Sequence, residues 1–319
     1  PALETLAYHN ANLTSLRLDF CGHLDDAAMK VFSKSLPSLH RLELLGPFLV
    51  RPAAWQEFFE SHPQLQGLLI TQSPRFDEEC IKALVKFCPG ITELRLKEIG
   101  QLKDAFLQQI QLFEGGLWYL DLADPSHSCS EEAMLELLRA VGKTLTHLNV
   151  SKHNLLTDNF LKTGLLSKAK VMQSLTLSHL PELTTDGVRN FFDKWKGKNP
   201  PLSYLDISRN DELKGPALES ILGHSGDKLE HLNINGWKDV EEDALRLIGK
   251  RGLHLKTLDV GFCRAVDDFV VKTWLEGEDS SAGCQHLQEI KVWGCNRITA
   301  SCPRKKGVSI FGVESHVVA

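Results

Sequence analysis

Aliphatic residues recur along this chain in the pattern Leu-x-x-Leu-x-Leu, with Ile, Val or Met substituting, and the pattern repeats eleven times. It begins at Leu13-Leu16-Leu18, Leu39-Leu42-Leu44, Leu65-Leu68-Ile70, Ile91-Leu94-Leu96 and Leu117-Leu120-Leu122. It continues at Leu145-Leu148-Val150, Met172-Leu175-Leu177, Leu202-Leu205-Ile207, Leu229-Leu232-Ile234, Leu255-Leu258-Val260 and Leu287-Ile290-Val292. Successive first positions lie 26, 26, 26, 26, 28, 27, 30, 27, 26 and 32 residues apart. A period of this length places the units in the leucine-rich class of repeats. Alternation at positions four and six predicts a short strand with two inward side chains, paired in parallel with its predecessor.

The rest of each unit predicts a returning helix. Position twelve is apolar in all but one unit (Leu24, Val50, Phe76, Leu102, Leu156, Leu183, Leu213, Val240, Val266 and Ile298), Ser128 being the exception. Asp25, Asp77, Asp104, Thr157, Asp186, Asp267 and Thr299 follow, and suit helix N-caps because their oxygens accept otherwise orphaned amides. Core stripes such as Ile81, Leu84, Val85 and Cys88 come next, and Pro37, Pro63 and Pro89 stop helices two residues before the following unit. Strand and full α-helix in alternation predict an α/β solenoid, a horseshoe with a parallel concave sheet and convex helices. The expected organisation is 1–12 as the end of a preceding repeat, 13–298 as eleven repeats, and 299–319 as a C-terminal cap and tail. In that tail Val308 and Ile310 predict a closing strand, and EGEDSSAG (276–283) reads as an acidic, flexible insertion.

Composition narrows the function. The chain has 319 residues with a formal net charge of −5, so no global basic field attracts nucleic acid. It contains no membrane-length apolar run, and PALETLAYHN lacks a signal-peptide pattern. Eight cysteines without disulfide-scaffold spacing suit a reducing, intracellular compartment. Cys80 and Cys88 sit about 12 Å apart along one helix, too far to share a metal. His127/Cys129 and Cys284/His286 lack a second ligand pair, so neither metal nor cofactor is expected. No hydrolase, zinc-protease, dinucleotide or P-loop motif occurs, and the chain reads as non-enzymatic.

Three units carry cysteine at position nine: LTSLRLDFC (Cys21), LKTLDVGFC (Cys263) and LQEIKVWGC (Cys295). With the 26-residue period and segments such as FCPGITELRL, the chain resembles the cysteine-containing leucine-rich repeats. That family consists mainly of F-box substrate receptors of ubiquitin ligases and their relatives. LELLGPFLVRPAAWQEFFE (42–60) and VWGCNRITASCPRKKGVSIFGVE (292–314) are similar to a narrower family, the Rad-seven-like repeat subunits of the fungal global-genome nucleotide-excision-repair factor. This resemblance implies a nuclear scaffold working with a Swi/Snf-type RING-bearing ATPase and an elongin-C/cullin ubiquitin ligase. The ligase-docking motif of that family, and the F-box of the wider one, are not recognisable in this sequence.

Outward strand positions are three, five and seven. Position five runs Arg17, Glu43, Leu69, Arg95, Asp121, Asn149, Thr176, Asp206, Asn233, Asp259 and Lys291, flanked by Tyr119, His147, Tyr204, His231 and Trp293. The mixed, slightly acidic face reads as protein-binding, with an ordinary solvated sheet as the alternative; duplex DNA would demand more cations. Asp121, Asp206 and Asp259 are separated by intervening units at about 4.8 Å per strand and do not form a catalytic pair. Phe262 and Trp293, near Arg209, Arg264 and Lys291, form either a binding patch or the packing beneath the C-terminal cap. Trp237 and Trp195 read as core. The cysteines at position nine read as residues that satisfy turn amides or fill the core, not as nucleophiles. Lys194, Lys196, Lys198, Lys250 and Arg251 end helices, where cations meet the dipole favourably. Arg304, Lys305 and Lys306 have no helix to cap, and either contact phosphate or an acidic partner or stay solvated.

Overall fold

The computed structural model describes residues 2–195, 201–278 and 282–313, and the chain divides into two compact units, residues 1–155 and 156–319. In the first, α1 (Ala2–His9) packs beside α2 (Asp26–Ser35), which is followed by α3 (Pro52–Ser61), α4 (Glu78–Phe87), α5 (Asp104–Ile110) and α6 (Glu131–Val141). Between them run β1 (Ser15–Asp19), β2 (Arg41–Leu45), β3 (Gly67–Thr71), β4 (Glu93–Lys97), β5 (Tyr119–Asp121) and β6 (His147–Asn149). Each strand pairs in parallel with the next, and the register matches like positions, Leu16 with Leu42 and Leu68 with Leu94.

The second unit opens with a π-helix (Phe160–Leu165) running into the three-residue α7 (Leu166–Lys168). It continues through β7 (Ser174–Thr176), α8 (Thr185–Trp195), β8 (Tyr204–Asp206), α9 (Gly215–Ser225), β9 (His231–Asn233) and α10 (Glu242–Arg251). β10 (Thr257–Asp259), α11 (Asp268–Glu276), β11 (Glu289–Lys291) and β12 (Ser309–Phe311) complete it, again with parallel pairing throughout. The closing strand is therefore present: Ile310 takes the position-four register opposite Ile290. Val308 lies just before the strand, and residues 314–319 of the expected tail fall outside the described residues.

The leucine ladder is the core of both units. Leu42, Leu68, Leu94, Leu175, Leu205 and Ile290 are fully buried, as are Trp55, Trp195, Trp237 and Trp274. Each buried Leu contributes about 1.5–3 kcal/mol, offsetting the entropy of ordering its repeat. Cys129, one residue beyond Ser128, fills the core place that Ser128 leaves empty, and Ile298 is only half-buried because no helix follows it.

Helix starts depart from expectation in an instructive way. Asp25, Asp77 and Asp267 cap as predicted, accepting from Ala28, Cys80 and Val270 amides. Asp104 does not; it stands one residue inside α5, and its Oδ1 accepts the Ser130 amide of the next repeat at 2.8 Å. Asp26, Asp158 and Asp268 do the same for the amides of Arg51, Thr184 and Thr299. An acid at this place binds one repeat to the next. Asp186 likewise lies inside its helix, and Thr184 accepts the Gly187 amide in its stead. Thr157 serves Asn159 ahead of the π-helix, and Thr299 serves Ser301 with no helix after it. The expectation of full α-helices thus fails at residues 160–165. In the acidic insertion, residues 279–281 lie outside the described set, while Glu278 is not free: it pairs with Arg246 and, at 3.8 Å, with Lys250.

A backbone feature that no hydrophobic pattern carries recurs in all eleven repeats. Position eight has a positive φ, from 50° at Phe20 to 87° at Gly236, through Gly46, Gln72, Glu98, Asp124, Lys152, His179, Arg209, Phe262 and Gly294. The turn aims this residue's amide at the position-seven carbonyl of the next repeat, as from Phe20 to Leu45, His179 to Ser208 and Phe262 to Trp293. The ladder is thereby extended one bond beyond the strand.

Candidate functional site

In the first unit the outward face of β1–β5 carries a network of ion pairs. Glu43, expected to be exposed, is only 5% exposed and is held by Arg41 and Arg95, each at 3.0 Å, and by Arg17 at 3.5 Å. Asp121 is also 5% exposed, which removes it as a contact residue. Its Oδ1 accepts the Ala123 amide and its Oδ2 lies 3.4 Å from Arg95 Nε. Burial raises its carboxyl pKa, opposed by that amide and by Arg95. Arg95 also donates to the Tyr119 hydroxyl at 2.8 Å. Tyr119 and His147 are half-buried neighbours with ring centroids 5.9 Å apart, and Trp118, which sequence reasoning passed over, is packed edge-on to both.

The acids of the second unit also have structural duties. Asp206 Oδ1 accepts the Ser208 amide and Asp259 Oδ1 that of Gly261, each at 3.0 Å. Asn149 and Asn233 make the same bond to Ser151 and Asn235. In each, position five accepts the amide of position seven, at the end of a three-residue strand where β1–β4 run to five. Asp206 and Asp259 are half-buried ends of strands before they are ligands for anything else. Tyr204 and His231 repeat the Tyr119–His147 arrangement at 5.8 Å, with His231 Nδ1 2.7 Å from Thr257 Oγ1. With Asp259, Glu289 and Lys291 they line a shallow polar depression of about 110 Å3.

Exposed apolar surface gathers where the strands end. Phe262 is 54% exposed and Trp293 55%, which disfavours the alternative that they pack beneath a cap. Phe311, not singled out from the sequence, is 42% exposed and stands opposite Lys291 in the β11–β12 register. The alternation that turns Ile310 inward could have identified it. Phe262 lies over Gly294, where an added Cβ would meet its ring at 2.5 Å. The same device occurs in the first unit: Phe20, 61% exposed, stands at position eight beside Gly46, where a Cβ would meet Phe20 at 2.8 Å and Phe48 at 2.9 Å. The signal was Phe-Cys at positions eight and nine, with glycine at position eight of the following repeat.

The cations around Phe262 and Trp293 are largely neutralised. Arg264 pairs with Asp239 and Lys291 with Glu289, both at 2.9 Å, whereas Arg209 forms no ion pair among the described residues. The hydrogen bond that Lys291 donates to the Glu289 carboxylate raises the Lys291 pKa. Arg304 and Lys306 are exposed. Lys305 departs from expectation: its Nζ donates to the Leu275 carbonyl at 2.9 Å, so it does cap a helix, α11. Lys196 and Lys198 lie outside the described residues.

Of the position-nine cysteines, Cys263 and Cys295 are buried and fill the core, one of the two readings of their place. Their thiols also donate, Cys263 to the Ile234 carbonyl at 3.6 Å and Cys295 to the Val260 carbonyl at 3.3 Å. Burial pushes the Cys295 thiol up to about 11 and the Cys88 and Cys284 thiols to about 12. Among the described residues no three His, Cys, Asp or Glu side chains are grouped to hold a metal ion. No described helix is long and apolar enough to cross a membrane.

Repeating strand-and-helix units with a parallel ladder and a buried leucine column define a leucine-rich-repeat protein. A leucine-rich-repeat family profile matches residues 9–33. The chain is 30% identical over 301 residues to the DNA repair protein rhp7 of Schizosaccharomyces pombe, covering 93% of this chain and 52% of that protein. It is 28% identical over 320 positions to the DNA repair protein RAD7 of Saccharomyces cerevisiae, covering 98% of this chain and 55% of that one. The chain thus spans about half the length of these curated relatives. A crystal structure of the Rad7 and Elc1 complex in yeast superposes with a TM-score of 0.84 at 26% identity, covering 97% of this chain and 77% of that one.

Proposed function

We propose that this chain is the leucine-rich-repeat scaffold of a nuclear DNA-damage-recognition and ubiquitin-ligase assembly acting in nucleotide excision repair, without catalytic activity of its own. The observation that carries the reading is the match of nearly all of this chain to about half of each of two DNA repair proteins, joined to the fold shared with the Rad7 of a Rad7–Elc1 complex. On this reading the protein recruits: an elongin-C-type subunit links it to a cullin ligase, and a Swi/Snf-type RING-bearing ATPase is held by the repeats. The rim at Phe262, Trp293 and Phe311 is the surface best suited to hold a partner, because exposed aromatic residues anchor interfaces. Buried, free thiols in a fold of this kind fit a reducing compartment.

Affinity purification of the full-length protein from its native source tests this. An elongin-C-type protein and a Swi/Snf-type ATPase should be recovered together, and Phe262→Ala with Trp293→Ala should lose the ATPase. Recovery of an F-box adaptor in their place would move the protein to the substrate-receptor class. The rival reading of direct damaged-DNA binding has less behind it, since Lys305 is committed to Leu275 and only Arg304 and Lys306 of that run stay available. Duplex retention that falls steeply with salt, and with both residues changed to Ala, would restore it.

A further inference from the structure

Tyr-Leu-Asp at positions three to five, followed in the next repeat by His-Leu-Asn, occurs twice in the chain: Tyr119–Asp121 with His147–Asn149, and Tyr204–Asp206 with His231–Asn233. The two sets are built alike. In each the tyrosine stands opposite the histidine and the aspartate opposite the asparagine, with ring centroids 5.9 and 5.8 Å apart. Asp121 Oδ1 accepts the Ala123 amide at 3.1 Å, and Asp206 Oδ1 the Ser208 amide at 3.0 Å. They differ in one neighbour. Opposite Asp121, on the preceding strand, stands Arg95; opposite Asp206 stands Thr176.

Arg95 shows what the arrangement binds. Its guanidinium lies over the Tyr119 ring, 5.7 Å from the centroid, donates to the Tyr119 hydroxyl at 2.8 Å, and reaches Asp121 Oδ2 at 3.4 Å. A phenol oxygen beside a carboxylate suits the planar fork of arginine, whose face rests on the ring while its edge donates to both; a lysine ammonium has no such plane. In the second unit the same groups lack that cation. Asp206 forms no ion pair and the Tyr204 hydroxyl no hydrogen bond among the described residues, and Tyr204 is 37% exposed. Asp206 Oδ2 accepts one donor among them, Asn233 Nδ2 at 3.0 Å, and has capacity for another. Burial, and then the Asp206 carboxylate, push the Tyr204 phenol up, a direction that Arg95 opposes at Tyr119.

We propose that Tyr204 and Asp206 receive the guanidinium of an arginine carried by a partner protein, in the place that Arg95 occupies over Tyr119 and Asp121. This contact is separate from the aromatic rim and does not depend on it. The test titrates the chain with the pentapeptide Gly-Ser-Arg-Ser-Gly, and with the same peptide carrying lysine or uncharged citrulline, and reads the backbone resonances of Tyr204, Ser208 and Asn233. The arginine peptide should give saturable shifts at these residues; the lysine peptide should bind about fivefold more weakly, and the citrulline peptide not at all. Tyr204→Phe removes the hydroxyl alone, and Asp206→Asn keeps an acceptor for the Ser208 amide while removing the charge. Each should weaken arginine binding by about fivefold. Thr176→Arg should fill the site from within: it should abolish peptide binding and raise the urea midpoint, and that rise should vanish when Tyr204→Phe is added. No saturable shift with the arginine peptide, equal binding of the lysine peptide, or binding that Thr176→Arg leaves unchanged overturns the proposal. Self-association of the chain that Thr176→Arg abolishes would place the arginine on a second copy and overturn its assignment to a partner.

Discussion

His179 offers a test of the left-handed turn that closes every repeat. Its φ is 55°, its side chain is exposed, it makes no side-chain hydrogen bond among the described residues, and its amide donates to the Ser208 carbonyl at 2.9 Å. Substitution there changes the backbone term and little else. The left-handed conformation costs an ordinary residue about 1–2 kcal/mol. Glycine escapes that cost but surrenders about 0.5–1 kcal/mol through its looser unfolded chain. His179→Gly should therefore stabilise by roughly 0.5–1 kcal/mol. His179→Val should destabilise by about 1 kcal/mol or more, because a β-branched residue is a genuine outlier at positive φ. The assay is the urea midpoint at constant m, which isolates stability from changes in the surface exposed. Equal midpoints for the Val and Gly variants would refute the reasoning, since they would mean that the backbone is not held left-handed. Phe262→Gly completes the series: it removes the same kind of strain, and on the reading above it also removes partner binding, which His179→Gly leaves intact.

Asp206→Ala and Asp259→Ala should each cost about 1 kcal/mol by orphaning the Ser208 and Gly261 amides, and Asp259→Ala should leave partner recovery unchanged; a binding defect without a stability defect would return that acid to the interface. His153 is fully buried, its Nε2 donating to the Leu122 carbonyl at 2.8 Å, and burial pushes its pKa down to about 4. Its stabilising share is complete above the unfolded value of about 6.5 and is lost progressively as pH falls toward 4, amounting to about 3 kcal/mol. Urea unfolding at pH 7.5 and 4.5 should reveal that slope, and an unchanged slope in His153→Gln would show that it has another origin. Of the eight thiols, only Cys21 is not buried, so native-state titration with a disulfide reagent should find one fast thiol and seven that await unfolding; several fast thiols would contradict the burial that raises the others.

The repeat was legible because its signal is a count of positions. Leucines at four and six of each unit must turn inward if the strand is to bury anything, so fold class and strand register follow from spacing. The left-handed turn was not, because eight of its eleven residues are not glycine: Phe20, Gln72, Glu98, Asp124, Lys152, His179, Arg209 and Phe262 share a dihedral angle and no chemistry. Asp121, Asp206 and Asp259 were misleading for a related reason. An acid at an outward strand position suggests an exposed charge, yet whether its oxygen turns back on the amide two residues later depends on where the strand stops. Lys305 failed likewise, since the carbonyl it reaches lies 30 residues earlier and only the fold brings it near.

These corrections move the candidate surface. With Glu43 and Asp121 buried among arginines, and Asp206 and Asp259 bound to their own turns, the charged column along the strands is mostly committed to the architecture. The exposed aromatic side chains lie further along, Trp293 at position seven and Phe20 and Phe262 at position eight, where each repeat turns left-handed whatever side chain it carries. Glycine is the least costly residue there, and Gly46, Gly236 and Gly294 use it. Phe20 and Phe262 do not, and in both the following repeat supplies the glycine that receives the ring. Gln72, Glu98, Asp124, Lys152, His179 and Arg209 make the same turn with polar side chains that water can solvate. A phenylalanine kept half in water there, with its neighbour reduced to hydrogen to accommodate it, points to a ligand for the exposed face of the ring.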